Sequence, residues 1–471
     1  MSDNIRKLDQ SLSTANIFSI ALGSIIGWGC FVMPGNTFLK TAGPLGTVIG
    51  MGLGAIIMII IAGSYGYMVT NYPVAGGEFA FAFKGFGRNH AFICAWFLGL
   101  SYLSIVPLNA TALGLIGRYF FPGLLQQGYL YTIAGWDVYF GEIIIASIAL
   151  ICFTIASVKG VKITGWLQSA LTFALIGSVL LLSAIALTNP EVSLDNLSPG
   201  FAPGVAPIKG ILSIVAIAPW AYVGFDCIPQ AAEEFNFSPK KTFGIMTIAI
   251  IFGYLMYIAV NTITAAVFPW HQFISSGPFW ATGMAVEHLM GQVGLLLLGI
   301  ALMTAIFAGI QGFLMASSRL LLSMARAKAL PEWFGFIHPK YKTPSNSTIF
   351  VLIISLIIPW FGRQVLTWVV DMASTGAAIG YFYTCASAYR LIKNTVEHKL
   401  LKFTSLIGSV LSLGFVVLLV VPGMPAYLSL PSRIALIIWI VIGIVFYKIS
   451  SVKYKSMSEV QLEHVIFNNA D

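Results

Sequence analysis

Three glycines in the first long apolar stretch could weaken a helix enough to expose its backbone to a ligand. Glycine occupies positions 23, 27 and 29, and Pro34 follows. In hydrocarbon, unwound backbone is tolerated only where protein buries it or where it lines a cavity. Unwinding here would place the amides of Gly27, Trp28 and Gly29 at the start of a half-helix, whose positive dipole end attracts anions. The pattern favours a carboxylate site, and close helix packing through the glycines is the alternative.

A second apolar stretch is interrupted in a similar way between Pro219 and Pro229, with Gly224 between the two prolines. Interruptions in the first and sixth apolar stretches occupy corresponding positions of two five-helix halves. That pairing is typical of an inverted-repeat transporter with its site at the midplane. Asp226 lies in this second break and Asp371 in the tenth stretch. Each acid is costly in lipid, so it must face protein or water, in a functional or a structural role.

The composition sets the elements that carry these breaks. The chain has 471 residues, of which 58% are hydrophobic and 9% charged, whereas soluble domains carry about a quarter charged residues. A soluble enzyme, a disordered chain and a collagen-like fibre are excluded. The apolar runs have the length of membrane-spanning helices, so we predict an all-α polytopic membrane protein with twelve transmembrane helices. Their approximate spans are 14–39, 44–71, 89–119, 139–158, 162–188, 207–230, 241–268, 285–327, 346–362, 364–392, 402–422 and 429–449.

The charges predict topology rather than nucleic-acid binding. The net charge is +8, and with a cytoplasmic N-terminus about 20 of the 25 Lys and Arg residues fall on the inner side. Both termini are then cytoplasmic. The five cysteines lie in apolar stretches without metal-ligand spacing, and no catalytic constellation emerges. We therefore expect no enzyme activity, no metal and no cofactor.

Four motifs occur in a specific order and spacing. Gly23–Phe31 is similar to G-x-I-I-G-x-G-I-F, and Tyr72–Phe79 is similar to F-P-x-S-G-G-x-Y. Gly224–Lys241 matches G-F-D…A-E-E…P-x-K, and Ser318–Pro331 matches S-R…A-R…L-P. With these motifs the chain resembles the amino acid–polyamine–organocation (APC) superfamily of transporters over nearly its whole length.

The resemblance implies a LeuT-like 5+5 inverted repeat with discontinuous helices 1 and 6, plus two C-terminal helices. The regions implied are an N-terminal segment 1–13, a ten-helix core 14–392 with repeats at about 14–188 and 207–392, helices 11 and 12 in 393–449, and a tail 450–471.

The resemblance also implies a substrate site at the two breaks. The substrate carboxylate would meet the amides of Gly27, Trp28 and Gly29, and Trp220 would act as an occluding gate. From the residues themselves, Tyr102 and Asn109 in helix 3 could line the cavity, and interhelical hydrogen bonding is the favoured role for Asn109. The substrate ammonium would meet backbone carbonyls at about Ser24, Ile25, Trp220, Ala221 and Val223.

Three departures from the family pattern bear on substrate and coupling. Trp28 stands where many relatives carry a small residue, so an inward indole would shrink the cavity or stack on an amine. Proton-coupled relatives often carry a lysine midway along helix 5, but the matching position lies near Leu175. A sodium ion between helices 1 and 8 would need oxygen ligands, often hydroxyl groups of helix 8, but Thr304–Gln311 has no clear pair of Ser or Thr residues. Exchange or uniport therefore gains in rank, and protonation of Asp226 or Asp371 could still couple protons.

The sequence predicts a multi-pass transporter that moves a small neutral amino acid by alternating access. The membrane expected is a plasma membrane, namely the inner membrane of a bacterium. The transporter would act as an exchanger, a uniporter or a proton-coupled carrier. The first alternative is a permease for an amine such as ethanolamine or a polyamine, which would need an exposed carboxylate such as Asp226. The second is a channel or a non-transporting nutrient sensor. The expected partners are a small-molecule substrate and the lipid bilayer, not nucleic acid, and the oligomeric state stays open.

Overall fold

A computed structural model describes residues 8–393 and 399–467. The first seven residues of the predicted segment 1–13, residues 394–398 of the predicted region 393–449, and the last four residues of the predicted tail lie outside the described residues. The described chain is dominated by α-helices. They are α1 Thr14–Ile25, α2 Gly29–Met33, α3 Leu39–Asn71, α4 Glu78–Phe86, α5 Arg88–Phe120, α6 Phe140–Lys159, α7 Val161–Thr188, α8 Pro207–Ala221, α9 Cys227–Gln230, α10 Thr242–Ala266, α11 Trp270–Ser275, α12 Ala281–Arg326, α13 Ser345–Ile357, α14 Gly362–Ile392, α15 Lys399–Val420, α16 Leu430–Ser456 and α17 Glu459–Phe467.

Shorter helical turns join several of these helices. A π-helix, Pro34–Phe38, continues α2 into α3. The 3₁₀-helices are Leu194–Leu197, Ala232–Glu234, Pro239–Lys241, Glu332–Gly335 and Ile358–Phe361.

The all-α prediction needs one correction, because a β-hairpin follows α5. Strands β1 (Tyr129–Ile133) and β2 (Trp136–Tyr139) pair antiparallel. The stretch is rich in aromatic and β-branched residues, which favour strands. Its two turn residues, Ala134 and Gly135, both have positive φ, at 49° and 77°, as a tight two-residue hairpin turn requires.

Among the described residues, eight helical stretches are long and apolar enough to cross a bilayer. The first of them, Thr14–Asn71, contains two predicted spans and is interrupted by non-helical backbone at Gly43. Two shorter apolar helical stretches, Pro207–Ala221 and Ser345–Phe361, add to these. At the C-terminal side, α16 continues to Ser456, past the predicted boundary at 449, and α17 lies within the predicted tail. The chain is a multi-pass membrane protein.

Polar and apolar side chains are distributed as in a protein surrounded by lipid. Large apolar side chains such as Trp166, Leu187 and Val410 are exposed on the helix surfaces. In contrast, Glu78 and Asp226 are fully buried in the interior. In water this arrangement would leave large exposed apolar patches, whereas a bilayer covers them.

The helices pack around the interrupted segments. α5 packs against α12 and α14, α12 against α7, and α3 against α8 and α10. The short helix α4 packs against α5 and α14. The breaks between α1 and α2 and between α8 and α9 therefore lie within a shell of longer helices.

The beginning and the end of the described chain lie at the same end of the bundle, which we call the terminal end. The Leu12 N–H donates to the carbonyl oxygen of Glu234 at 2.9 Å, and the Asn236 N–H donates back to Leu12 at 3.0 Å. Arg319, near the end of α12, pairs with Glu234. The C-terminal helix α17 packs on α4 and α12.

Candidate functional site

The first helix is interrupted within the predicted glycine pattern. α1 ends at Ile25, Ile26 has non-helical φ and ψ of −90° and 87°, and α2 begins at Gly29. The Gly27 N–H turns back to the Ile25 carbonyl at 3.2 Å. Within the described part of the chain, the Gly29 N–H has no hydrogen-bond acceptor. The break thus presents main-chain polar groups, including a donor that a ligand can use.

The second interruption lies between α8 and α9. α8 ends at Ala221 and α9 begins at Cys227. Gly224 has φ of 134°, a conformation that side chains other than glycine rarely adopt. The Tyr222 hydroxyl donates to the Met51 carbonyl of α3 at 2.9 Å, which anchors the break to a continuous helix.

The two breaks contact each other directly. A Cβ atom on Gly224 would lie 2.6 Å from the Ile25 nitrogen and 2.7 Å from Ser24 Cβ. A Cβ on Gly312 of α12 would overlap Ser24 Oγ from the other side. Ser24, a predicted site residue, is therefore held between two glycines, and Ile25, another, packs against Gly224. Any motion that separates the two breaks must move this contact.

Two tryptophans cover the first break. The ring centroids of Trp28 and Trp220 are 5.8 Å apart, and the side chains are 7% and 8% exposed. A Cβ on Gly29 would overlap Trp220 Cη2. The Trp28 indole therefore points inward, against the predicted gate residue, which reduces the space available to a ligand. The neighbouring predicted residues Ala221 and Val223 are buried in the same break.

Asn109 of α5 lies beside the first break and the eighth span. Cβ atoms on Gly27 and Gly309 would come within 3.3 Å and 2.8 Å of its amide group. Its Nδ2 donates to the Ile105 carbonyl of its own helix at 3.0 Å. Its Oδ1 is buried without a partner among the described residues. Among the described residues, Asn109 therefore does not form the interhelical hydrogen bond that we considered from the sequence.

Leu175 of α7, near the position that we matched to a lysine of proton-coupled transporters, is an apolar and fully buried residue. Polar contacts occur earlier on α7. Gln168 Nε2 lies 3.2 Å from the carbonyls of Ser19 and Ala308, and the Thr172 hydroxyl donates to Ser19 at 2.9 Å. Neutral groups therefore join α7 to α1 and α12.

A buried carboxylate network lies below the second break. Asp226 Oδ1 accepts the Gly224 N–H at 2.6 Å, and Asp226 Oδ2 lies 2.9 Å from the Tyr102 hydroxyl. The same hydroxyl lies 3.3 Å from Glu78 Oε1, and Gln230 Nε2 donates to Glu78 Oε2. All four of these side chains are fully buried. We call Glu78, Tyr102, Asp226 and Gln230 the carboxylate network.

Sequence reasoning placed Tyr102 and Asp226 in the site but did not single out Glu78 or Gln230. Glu78 was visible only as the variable position of the Tyr72–Phe79 motif. The usable signal was an acidic residue between two glycines and an aromatic, apolar helix, since such a residue is costly to bury unless it has a role.

Asp371 lies elsewhere. Its Oδ2 accepts a hydrogen bond from the Ser432 hydroxyl at the start of α16, at 2.9 Å. The adjacent Met372 packs with Leu428 and Leu436. The structure thus joins Asp371 to the C-terminal helices and does not bring it into the carboxylate network. Among residues 8–393 and 399–467, no group of three or more His, Cys, Asp or Glu side chains could hold a metal ion.

A family model described as amino acid permease matches residues 12–446. The chain belongs to the amino acid permease family. This permease is 25% identical over 350 residues to the methylthioribose transporter of Bacillus subtilis (strain 168), with 73% of each chain covered. It is 26% identical over 363 residues to the branched-chain amino acid permease BcaP of the same organism, again with 73% of each chain covered.

A plant relative is more distant in length. The vacuolar cationic amino acid transporter 8 of Arabidopsis thaliana is 26% identical over 366 residues, which cover 75% of this permease and 59% of the relative. All three relatives are transporters, and the permease is accordingly a membrane transporter of the APC superfamily rather than an enzyme.

Proposed function

We propose that this permease moves a small neutral amino acid across the plasma membrane by alternating access, as an exchanger, a uniporter or a proton-coupled carrier. The observation that carries the proposal is the contact of the two breaks at Gly224, Ser24 and Ile25, with the Trp28–Trp220 pair lying over Gly29. Main-chain donors and acceptors meet there under two large side chains that can separate or close.

A zwitterionic substrate fits this arrangement better than a simple amine. Its carboxylate would bind the amides of Gly27, Trp28 and Gly29. Its ammonium group would bind carbonyls of the two breaks. The residues proposed for the ammonium are Ser24, Ile25, Trp220, Ala221 and Val223.

An amine permease would need a carboxylate open to the cavity. Asp226 is the acid of the second break, but it is fully buried, and both of its carboxylate oxygens already have donors, Gly224 and Tyr102. Small size follows from Trp28, whose indole occupies space beside Trp220. The name of the branched-chain permease supports a neutral substrate. The names of the methylthioribose and cationic amino acid transporters refer to other substrates.

We propose twelve spans, in chain order α1–α2, α3, α5, α6, α7, α8–α9, α10, α12, α13, α14, α15 and α16. The packing of the first ten supports a 5+5 repeat, because the contacts persist when span n is exchanged with span n+5. Span 3 packs on span 10 as span 8 packs on span 5. Span 2 packs on span 6 as span 7 packs on span 1, and spans 2–7, 3–8 and 4–9 also meet. The repeats would be about 14–188 and 207–392.

We place both termini in the cytoplasm of a bacterial cell, with the terminal end facing inward. The shared position of Leu12 and α17 at this end supports an even number of spans. The excess of Lys and Arg on the same side sets the direction.

The test is thermal stabilisation of the purified protein by neutral, acidic and basic amino acids and by the matching decarboxylated amines. A ligand that binds the folded state raises the melting temperature by mass action. We expect small neutral amino acids to stabilise and their amines to have no effect. Stabilisation by amines alone would overturn the amino acid proposal.

Reconstituted vesicles separate a carrier from the remaining alternatives. We expect saturable uptake of the stabilising amino acid and counterflow against internal unlabelled substrate. Flux that does not saturate would indicate a channel, and binding without flux would indicate a sensor.

A further inference from the structure

The carboxylate network contains fewer protons than its contacts require. Tyr102 has one hydroxyl proton, yet its oxygen lies within hydrogen-bond distance of three acceptors. These are Asp226 Oδ2 at 2.9 Å, the Asp226 carbonyl at 3.1 Å and Glu78 Oε1 at 3.3 Å. With both carboxyl groups ionised, at least one of these contacts would bring two oxygens together without a proton of their own.

One added proton on Glu78 gives both contacts between Tyr102 and a carboxyl group a proton of their own. The Glu78 Oε1–H would donate to the Tyr102 oxygen, and the Tyr102 hydroxyl would donate to Asp226 Oδ2. The other carboxyl oxygens already have donors, since Gly224 N–H bonds Asp226 Oδ1 and Gln230 Nε2 bonds Glu78 Oε2. The pair would then carry one negative charge instead of two. The charge remains on Asp226, which receives the main-chain donor.

No cation neutralises the pair among the described residues. Neither Glu78 nor Asp226 takes part in an ion pair, whereas the equally buried Glu234 pairs with Arg319 at 2.9 Å. Burying an ionised carboxylate without a partner is costly, and a group in that position takes up a proton. The remaining titratable groups that face the pair are neutral tyrosines and cysteines. They are Tyr65 of α3, Cys94 of α5, Cys227 of α9 and Tyr381 of α14.

Two further polar atoms lie next to the network. Gln230 Oε1 and the Tyr65 hydroxyl are both buried without a hydrogen-bond partner in the described part of the chain. Gln230 already contacts Glu78 through its nitrogen, and Tyr65 lies beside Glu78. The Tyr65 hydroxyl is therefore available as a donor to a Glu78 carboxylate that has lost its proton.

We propose that Glu78 is the proton-carrying residue of the transport cycle, protonated while the two breaks are in contact and deprotonated after they separate. The proposal rests on the proposed function and adds the co-transported ion to it. The link runs through contacts already described, because Gly224 touches Ser24 and Ile25 and also donates to Asp226. Moving the breaks apart displaces Gly224, which changes the bonding of Asp226, Tyr102 and Glu78 in turn. One proton binds the Glu78 carboxylate and leaves it again in each cycle.

The test compares wild type and Glu78→Gln in reconstituted vesicles that contain a pH-sensitive dye. The glutamine amide can donate to Tyr102 as a protonated carboxyl would, but it cannot release a proton. We expect the wild type to carry protons together with its amino acid. It should accumulate the amino acid when protons move down a pH gradient. In the Glu78→Gln protein, proton movement and amino acid accumulation should both fall at least tenfold. Counterflow, which needs no net proton movement, should stay within about threefold of wild type.

Asp371→Asn is the matched control, because Asp371 is a partly buried acid that bonds Ser432 away from the network. It should retain proton-coupled accumulation. Accumulation that survives in Glu78→Gln, or that fails in Asp371→Asn with Glu78→Gln unaffected, would overturn the assignment.

A second readout depends on neither uptake nor the substrate. Infrared spectra of the folded protein at neutral pH should contain a band from a protonated carboxyl group that Glu78→Gln lacks. If wild type transports its amino acid without proton movement and shows no such band, the inference fails and the proposed function stands. If no amino acid binds or moves, the proposed function fails, and the band still reports whether Glu78 holds a proton. If Glu78→Gln does not fold, the wild-type spectrum is sufficient for the test, because the absence of the band from it would refute the proposal.

Discussion

Two groups of buried acids in this permease are neutralised in different ways. At the terminal end, Glu234 receives two nitrogens of Arg319, at 2.9 Å and 3.2 Å, and Glu233 pairs with Arg326. At the second break, Glu78 and Asp226 have hydroxyl, amide and main-chain donors but no cationic partner in the part of the chain that the structure describes. An arginine keeps its charge at every accessible pH, so Glu234 faces a fixed positive charge at the terminal end. A proton can leave, so the network under the break can change state during transport.

The same substitution at the two sites is the strongest test of this difference. Glu234→Gln should leave the Arg319 guanidinium buried without a counter-charge, which costs about 3–5 kcal/mol. Glu78→Gln replaces a group that we expect to be neutral already, so its effect should stay below about 1 kcal/mol. Melting temperatures of the two purified variants in the same detergent measure the contrast. Equal losses at both sites would mean that the two acids are in the same charge state.

Asp226→Asn probes the ionised member of the network. An asparagine keeps one acceptor for the Gly224 N–H but turns an NH₂ group toward Tyr102, so the Tyr102 hydroxyl loses its acceptor, at a cost of about 1–3 kcal/mol. Because Asp226 is fully buried within the second break, amino acid binding should remain within about threefold. Its pH dependence should shift to lower pH, because Glu78 would lose the neighbouring negative charge. Substrate-induced shifts in melting temperature at two pH values check both effects. Abolished binding would instead assign Asp226 to the substrate amine.

Trp28→Ser examines the side of the breaks that carries no acid. Removal of the indole beside Trp220 should enlarge the pocket and raise the affinity for bulkier amino acids about tenfold, or about 1.4 kcal/mol. Competition of labelled uptake by a size series of neutral amino acids measures the change. Trp166→Ser is the control, since that tryptophan lies on the lipid-facing surface. Unchanged selectivity in Trp28→Ser would show that the indole does not limit the substrate.

The smallest effect is expected at a solvent-exposed ion pair of the terminal end. Lys84 of α4 pairs with Glu463 of α17, and both side chains are partly exposed, at 29% and 46%. A double-mutant cycle with Lys84→Ala and Glu463→Ala should give a coupling energy of about 0.2–1 kcal/mol that falls with salt. A coupling energy as large as the loss expected for Glu234→Gln would show that Lys84 and Glu463 behave as a buried ion pair.

The breaks and the tryptophans could be predicted from the sequence, because glycine and proline act locally on a helix. Gly27, Gly29 and Gly224 lie where the helices are interrupted, and Trp220 covers the first break. The roles proposed for individual substrate-binding residues stay predictions. The identity of the family followed from motifs spread along the chain and is confirmed by the match to residues 12–446.

The parts that were not predictable depend on contacts between distant residues. Glu78, Tyr102 and Asp226 come from three different elements, and neither their spacing nor their neighbours in the chain indicates that they meet. The pairing of Asp371 with Ser432 is equally remote in sequence. The β-hairpin was missed for a different reason, because its aromatic residues are also typical of membrane interfaces.

The hairpin also offers a practical handle on orientation. It follows α5, whose first turn adjoins α4, so it extends beyond the end of the bundle opposite the terminal end. It is anchored there, since the Tyr131 hydroxyl bonds the Trp360 carbonyl and Gly362 contacts Ile133. Its tip is exposed, so it is a suitable epitope for a binder that marks one face of a small particle in electron micrographs. The same binder, applied to intact cells, would report which face of the membrane the hairpin occupies.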